Sequence, residues 1–339
     1  MYKSSRISRY QTSIEKFSFE GTNSPFAQDS LTDKDYIDII KKSFKNSDKY
    51  LSILFLTVLN NQNKKQNISI QGYSAACGIE VIYLLFKMHD NKEQLFKKHG
   101  DIINKIIFKL SFSWITSIKI NLETLKRKVN AKQYAKFSTA ILGLITKDIP
   151  YFIDRQSLNN KIIFQKNTKK SDLPDYFLKQ KPDVLKKFKN IKLVDKEFIK
   201  KTIMDTTCNI GELSCALGWL FGTGSEKKID TVKQFGRTFS VLYILSKDFE
   251  NLEEDIYDAY QSDRKFTYNY VVNCGFEKSY EMFNDYKNIF ISEATKLDLH
   301  TGTVKEMIES IDERVDNILN NTSPDIKSIM TATTIQTIG

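Results

Sequence analysis

Helix-breaking residues are scarce in this chain of 339 residues, which contains 5 Pro and 13 Gly. Long stretches without either residue exclude most all-β architectures, because sandwiches and barrels need turn residues at short intervals. Apolar residues recur at i, i+3, i+4 and i+7 in the same stretches, which is the spacing of an amphipathic helix. With 41% hydrophobic residues, the chain can bury a sizeable core. The composition therefore predicts an all-α protein.

Arginine, histidine and cysteine are scarce as well. Of the 51 basic residues only 7 are Arg, so the net charge of +10 comes from Lys. Arg is the residue that binds phosphate through two parallel hydrogen bonds, and no nucleic-acid-binding motif accompanies the charge. We therefore expect no nucleic-acid partner. The 3 His and 4 Cys lack the spacing of metal ligands, which predicts reduced core thiols and no zinc site.

Long apolar runs are also missing. The run 50–59 is far shorter than the roughly 20 residues that a transmembrane helix needs, and the N-terminus lacks the apolar region of a secretory signal. The sequence thus predicts no transmembrane segment and a cytoplasmic protein. Basic and hydroxyl residues among the first ten positions offer the alternative of an organelle-targeting arm.

The apolar periodicity and the positions of Pro and Gly predict three parts of the chain: an irregular N-terminal arm over 1–30, a helical domain over 31–320 and a tail over 321–339. Pro150 is expected to close one of the helices, and the Lys-rich stretch 156–192 is expected to form a surface excursion. The main predicted helices cover 50–60, 72–89, 101–125, 131–147, 204–222, 226–259, 275–298 and 303–320.

Two acidic clusters, 88–93 and 245–255, each close an apolar helical run. Carboxylates one helical turn apart at the mouth of an apolar pocket can hold Mg²⁺ ions against a diphosphate. An ordinary solvated helix face with Lys counter-charges is the alternative explanation.

Four segments, in order, resemble motifs of the trans-isoprenyl diphosphate synthase and class I terpene synthase superfamily. Residues 75–90 resemble the helix that leads into the first Asp-rich motif, and 235–248 resemble the approach to the second. Residues 264–268 resemble the GKxT(L)P element, and 274–297 resemble the C-terminal helical hairpin. The resemblance implies an isoprenoid-synthase bundle of long antiparallel helices around a central apolar cavity.

The resemblance also implies the site. Asp90 and Asp248 would be the catalytic carboxylates, Mg²⁺ the cofactor and a prenyl diphosphate the substrate. The implied metal ligands are Asp90, Glu93, Asp248, Asn251 and Asp255. The implied diphosphate-binding residues are Lys97, Lys98, Lys201 and Lys265.

The chain departs from the motifs of this superfamily in an informative way. The first motif keeps only Asp90 and Glu93 as acids, and Lys247 replaces the first Asp of the second motif. Residues 247–255 also fit, in degraded form, the metal triad of terpene synthases, with Asn251 and Asp255 at metal-binding positions. Residues 45–51 stand where chain-elongating enzymes bind a second diphosphate, yet they lack most of the required bases.

Loss of the second-substrate segment predicts a one-substrate enzyme. We expect a Mg²⁺-dependent terpene synthase that ionises and cyclises a linear prenyl diphosphate and releases diphosphate. The alternatives are a catalytically inactive partner subunit of a prenyl synthase and a divergent chain-elongating synthase. The expected assembly is a homodimer, or a heterodimer with a prenyl synthase.

Overall fold

A computed structural model describes residues 5–20, 26, 34–90, 95, 99–158, 162–165, 181–205, 207–263 and 265–322, with side chains placed for all of these except 34–37, 89–90, 148–158 and 321–322. The described part contains one isolated β-bridge, between Phe164 and Val194, and no β-strand. The helices are α1 (Arg6–Phe19), α2 (Lys34–Lys45), α3 (Tyr50–Gln66), α4 (Tyr73–Asp90), α5 (Ile102–Lys126), α6 (Ala131–Leu158), α7 (Pro182–Phe188), α8 (Lys196–Asp205), α9 (Thr207–Phe221), α10 (Ile229–Glu250), α11 (Leu252–Gln261), α12 (Tyr270–Cys274), α13 (Phe276–Lys296) and α14 (Gly302–Thr322).

The all-α prediction is confirmed, and the predicted bounds of α4, α5, α13 and α14 agree with the structure to within two residues. These helices have a continuous apolar stripe, so periodicity locates them well. No described helix is long and apolar enough to cross a membrane.

The predicted irregular arm is wrong for residues 6–19, which form α1. The side chain of Ser5 caps this helix by accepting the N–H of Ser8. The carboxylate of Glu306 accepts the N–H groups of Arg6 and Ile7 at 3.0 and 3.2 Å. Because the first N–H groups of a helix have no partner inside it, a distant carboxylate supplies what the local sequence does not.

Two other predicted helix bounds are also wrong. Helix α6 continues past Pro150 to Leu158, although an internal proline costs a helix about 3 kcal/mol. The single helix expected over 226–259 is instead a short 3₁₀ turn followed by α10 and α11, which are separated at Asn251.

The chain forms two compact units, each assembled from three stretches. The first contains 1–150, 209–236 and 294–307, and the second contains 151–208, 237–293 and 308–339. The domain bounds predicted at 31 and 320 stay predictions.

In the first unit, α4 packs against α1, α2, α3 and α5. The helices approach closely at glycines: a Cβ on Gly218 would lie 2.6 Å from the backbone oxygen of Phe55, and one on Gly78 would lie 3.1 Å from Trp114. Buried aromatic rings fill the second unit, where Phe239 packs on Phe290 with centroids 5.3 Å apart.

Candidate functional site

A break between two helices positions the second acidic cluster. Asn251 lies between α10 and α11, where its N–H donates to the carbonyl of Lys247 and its own carbonyl accepts the N–H of Asp255, both at 2.8 Å. Asp248 therefore belongs to the last turn of α10 and Asp255 to the first turn of α11. The N-terminus of a helix favours a carboxylate such as that of Asp255, because the helix dipole is positive there.

One asparagine holds both carboxylate-bearing segments. The Nδ2 of Asn269 donates to the backbone oxygen of Asp248 and to Oδ2 of Asp255, each at 2.7 Å. The next N–H along, that of Tyr270, donates to Oδ2 of Asp248 at 2.7 Å. Asn269 is itself fixed as the N-cap of α12, since its Oδ1 accepts the N–H of Val272 at 3.0 Å. The start of α12 therefore sets the geometry of the acidic pair.

No basic side chain among the described residues compensates the charge that these two carboxyl groups carry when they ionise. Burial raises the pKa of Asp248 well above its ordinary value, the N–H of Tyr270 lowers it, and the nearby Asp255 raises it again. Burial also raises the pKa of Asp255 to about 6, with further increases from Glu254 and Asp258. Among the described residues no basic side chain contributes to either shift, so ionisation of both acids gathers negative charge in one place.

Two neighbouring acids, Glu250 and Glu253, are different, because each of them has a basic partner. Lys247 contacts the carboxylate of Glu250 at 2.7 Å, and the Nε of Arg314 lies 3.5 Å from the same carboxylate. Lys181 forms an ion pair with Glu253. The interpretation of this segment as an ordinary charged helix face therefore suits Glu250 and Glu253 but does not describe Asp248 and Asp255.

The donor chemistry of this site fits Mg²⁺. Asp248 and Asp255 supply carboxylate oxygens, the ligands that this hard cation prefers, and Asn251 stays a predicted third ligand. Within the described residues Oδ2 of Asp248 accepts the backbone N–H of Tyr270 and Oδ2 of Asp255 accepts Nδ2 of Asn269, so the Oδ1 atom of each carboxylate is the one that a cation would bind. The described residues contain no group of three or more His, Cys, Asp or Glu arranged for a metal, so any cation here would need further ligands.

The other predicted site residues have different outcomes. Lys201 is exposed on α8. The Nζ of Lys265 donates to the backbone oxygen of Tyr260. It also lies 4.9 Å from the centroid of the aromatic ring of Tyr260. The carbonyl of Tyr260 occupies one of the three N–H donors of the Lys265 ammonium group. The side chain of Asp90, together with Glu93, Lys97 and Lys98, lies outside the described residues.

The segment 45–51 contains a lysine whose charge is already neutralised. Lys49 is buried, and its Nζ donates to the carbonyls of Phe44 and Ser47 at 2.7 and 3.0 Å. The same Nζ lies 2.8 Å from the carboxylate of Glu15 on α1. With those partners in place, Lys49 cannot also reach a diphosphate in solvent.

The sequence analysis did not predict a role for two polar residues that form hydrogen bonds inside the fold, Asn269 and Glu80. Asn269 escaped attention, although an Asn just before a short apolar stretch is a usual N-cap signal. Glu80 is buried to 1% exposure and accepts a 3.0 Å hydrogen bond from Ser52, and burial raises its pKa. A single acid inside the apolar run of α4 was the available signal.

Comparison with known proteins gives structural similarity without sequence similarity. No family model matches the chain, and no curated protein matches its sequence. The chain is similar to the geranyltransferase of Helicobacter pylori 26695, with a TM-score of 0.54 and 14% identity over 94% of this chain and 99% of that one. The chain is also similar to a structure of geranyltransferase from Helicobacter pylori in complex with magnesium and isoprenyl diphosphate. The TM-score is 0.53, with 14% identity over 95% of this chain and 99% of that one.

A third solved structure comes from an archaeon. It is the geranylgeranyl pyrophosphate synthetase of Geoglobus acetivorans, with a TM-score of 0.51 and 9% identity over 91% of this chain and 96% of that one. Similarity over nearly the whole of each chain confirms the predicted isoprenoid-synthase fold. The central apolar cavity stays a prediction, and so do the catalytic, metal-binding and diphosphate-binding residues.

Proposed function

We propose that this chain, which has the isoprenoid-synthase fold, is a Mg²⁺-dependent enzyme that ionises a linear prenyl diphosphate without a second substrate. The observation that carries the proposal is the pair Asp248 and Asp255, held together by Asn269 and the N–H of Tyr270 with no basic partner among the described residues. A pair of this kind attracts a divalent cation, and the fold is shared with enzymes named for prenyl diphosphate chemistry.

The chemistry assigns a role to each group. Asp248, Asn251 and Asp255 would hold Mg²⁺, which supplies positive charge to a departing diphosphate. Asp90 and Glu93 are the metal ligands proposed for the first acidic cluster, and Lys97, Lys98, Lys201 and Lys265 are the proposed diphosphate-binding residues. The carbon chain, left as an allylic cation, needs a dry pocket lined by aromatic faces. The chain has 23 Phe and 16 Tyr with which to line one.

The environment of Lys49 supports the use of a single substrate. An elongating synthase needs bases at 45–51 for its second diphosphate, whereas here Glu15 and two backbone carbonyls occupy Lys49. Asp48 in the same segment adds a negative charge that opposes a second anion. We therefore propose a lyase of the terpene-synthase type, in which the cation cyclises or loses a proton.

A transferase is the second candidate, and the names of the solved relatives favour it. The Helicobacter pylori proteins are called geranyltransferases, and the Geoglobus acetivorans protein is called a synthetase. In a transferase, the Lys49–Glu15 pair would open, or residues outside the described ranges would hold the second diphosphate.

The third candidate is an inactive partner of a prenyl synthase. It is favoured by the hydrogen bond in which the carboxylate of Asp248 accepts the backbone N–H of Tyr270, at the start of α12. That contact stabilises the fold without any metal.

One experiment separates the three candidates. Purified protein is incubated with geranyl, farnesyl or geranylgeranyl diphosphate and Mg²⁺, with and without radiolabelled isopentenyl diphosphate, and volatile and diphosphate products are analysed separately. The proposal expects diphosphate release and an apolar product without isopentenyl diphosphate, both lost in Asp255→Asn. Label in a longer prenyl diphosphate would establish the transferase. Absence of any turnover would favour the inactive partner.

A further inference from the structure

Two buried asparagines lie one helical turn apart at α12: its N-cap Asn269, which is 3% exposed, and Asn273, which is 2% exposed. Asn is a poor residue for the inside of a helix, because its amide competes with the backbone for hydrogen bonds. A buried amide also costs free energy unless its polar atoms have partners. Asn269 holds the acidic pair, and the contacts of Asn273 connect Asn269 to a different part of the chain.

The side-chain amide of Asn273 uses its acceptor and both of its donors. Its Nδ2 donates to the backbone oxygens of Thr267 and Asn269, at 2.9 and 2.7 Å. Its Oδ1 accepts the N–H of Val194 at 2.7 Å. One amide therefore joins the turn that leads into α12 to a residue 79 positions earlier in the chain.

Val194 belongs to a short backbone pairing, the antiparallel bridge that it forms with Phe164. Gln165 strengthens this 164–194 bridge, because its Nε2 donates to the carbonyl of Val194 at 2.8 Å. The same Nε2 donates to the carbonyl of Asn273 at 3.1 Å. The bridge and α12 are thus connected by two side-chain amides, one from each partner.

The 164–194 bridge also supports a second predicted site residue. The N–H of Lys192 donates to the carbonyl of Lys265, one of the predicted diphosphate-binding residues, at 2.6 Å. The stretch from Lys265 to Asn269 is therefore held at its start by Lys192, and at Thr267 and Asn269 by Asn273. All of these residues belong to the second compact unit.

We propose that Asn273 is a positioning residue of the acidic site, which ties Asn269 to the 164–194 bridge and so keeps the carboxylates of Asp248 and Asp255 together for a cation. The inference rests on the proposed binding of Mg²⁺ at this pair. It adds that the affinity of the pair for the cation depends on a contact between α12 and a bridge outside the acidic site.

Asn273 acts through the backbone at positions 269 and 270. Two donors lead from this stretch to the acidic pair, the Nδ2 of Asn269 and the N–H of Tyr270. The amide of Asn273 fixes the carbonyl of Asn269, so it limits the rotation that would turn both donors away from the carboxylates. Removal of a group that orients a metal ligand in this indirect way typically lowers metal affinity by about 10- to 100-fold.

The test measures the binding of Mn²⁺ by equilibrium dialysis in the presence of inorganic diphosphate, since Mn²⁺ accepts the same oxygen ligands as Mg²⁺. Asn273→Ala removes the three hydrogen bonds of the amide. Gln165→Met keeps the length of the side chain and removes both hydrogen bonds of its amide. Val271→Ala is the control, because it loses buried apolar packing in the same helix. Urea unfolding gives the stability of each variant.

We expect Asn273→Ala to weaken Mn²⁺ binding about tenfold and Gln165→Met about threefold, because the second variant leaves the amide of Asn273 in place. Val271→Ala should bind Mn²⁺ like the wild type although it is less stable. Unchanged binding by Asn273→Ala would overturn the inference, and so would an equal loss in Val271→Ala, because lower stability alone would then account for it. If Asn273→Ala does not fold, Gln165→Met decides, since unchanged binding in that variant would contradict the inference in the same way.

Hydrogen exchange in the metal-free protein separates this inference from the proposed function. The N–H of Tyr270 donates to Asp248, so it should exchange faster in Asn273→Ala than in the wild type. It should exchange at the wild-type rate in Asn190→Ala, which removes the hydrogen bond of an exposed asparagine to the carbonyl of Lys186. A wild type that binds no Mn²⁺ but shows this exchange pattern would contradict the proposed function and support the positioning by Asn273. Equal exchange of Tyr270 in Asn273→Ala and in the wild type would overturn the inference, whether or not Mn²⁺ binds.

Discussion

Two sites of buried charge in this molecule differ in how the charge is neutralised. At Lys49 the protein supplies its own counter-charge, because Glu15 and two carbonyls surround the ammonium group. At Asp248 and Asp255 the described residues supply amide hydrogen-bond donors but no cation, and the pKa of each acid is raised, chiefly by burial. A charge that the fold neutralises has a structural role, whereas one left uncompensated is available to a ligand. The difference supports the proposal of a cation at the acidic pair and of no anion at Lys49.

The largest expected effect comes from removing one charge of the acidic pair. Asp255 has a folded pKa of about 6, above the value of about 3.9 for an unfolded chain, so its contribution to stability is full below about pH 4 and is lost as the pH rises through 6. Asp255→Asn should therefore stabilise the metal-free protein at pH 8 by about 2 kcal/mol, with the gain fading to zero near pH 4.

Urea unfolding between pH 4 and 8 measures this profile, with the exposed Asp285→Asn as the control. A gain that does not depend on pH would show that Asp255 is not the group whose ionisation is suppressed by the fold.

The next effect tests the neutralised site. Glu15→Gln removes the charge opposite Lys49 and leaves a buried ammonium group with carbonyl acceptors only. Loss of one partner from a fully buried pair costs about 3–5 kcal/mol, but Glu15 is partly exposed, so we expect a loss of about 1–2 kcal/mol. Chemical denaturation compares this variant with Glu20→Gln, a change at an exposed residue of the same segment. Equal stability of the two variants would mean that solvent, and not Glu15, neutralises Lys49.

How far the sequence predicts this structure depends on where the stabilising partners lie. The helices α4, α5, α13 and α14 follow from their own apolar periodicity. Helix α1 could not be predicted in that way, because its first N–H groups depend on Glu306, far along the chain.

The acidic pair is also held by a partner that lies outside its own sequence segment. The resemblance to the metal triad of terpene synthases implies metal-binding roles for Asp248, Asn251 and Asp255, all within one segment, and those roles stay predictions. The partner that joins two of them, Asn269, lies 14 positions beyond Asp255, and no motif connects the two. Likewise, the sequence shows that 45–51 keeps only Lys45 and Lys49 as bases, but only the fold shows that Glu15 pairs with Lys49.

The smallest expected effect concerns Lys247, which stands where the second Asp-rich motif begins with Asp. Its ion pair with Glu250 is partly exposed, and Arg314 contacts the same carboxylate. Lys247→Ala should therefore change the free energy of unfolding by only about 0.5 kcal/mol. Thermal unfolding measures the stability of Lys247→Ala and compares it with that of Arg314→Ala. A loss several times larger would show that Lys247 stabilises the end of α10 and is not a tolerated departure from the motif.

The measurement that tests the central claim most directly is the melting temperature in the presence of Mg²⁺ and inorganic diphosphate together. Binding to the folded state alone raises stability by RT ln(1 + [L]/Kd), so the wild type should melt at a higher temperature when both are present. Asp248→Asn and Asp255→Asn should each lose that shift, while the exposed control Glu281→Gln should keep it. A wild-type melting temperature that does not change at saturating Mg²⁺ and diphosphate would contradict the account.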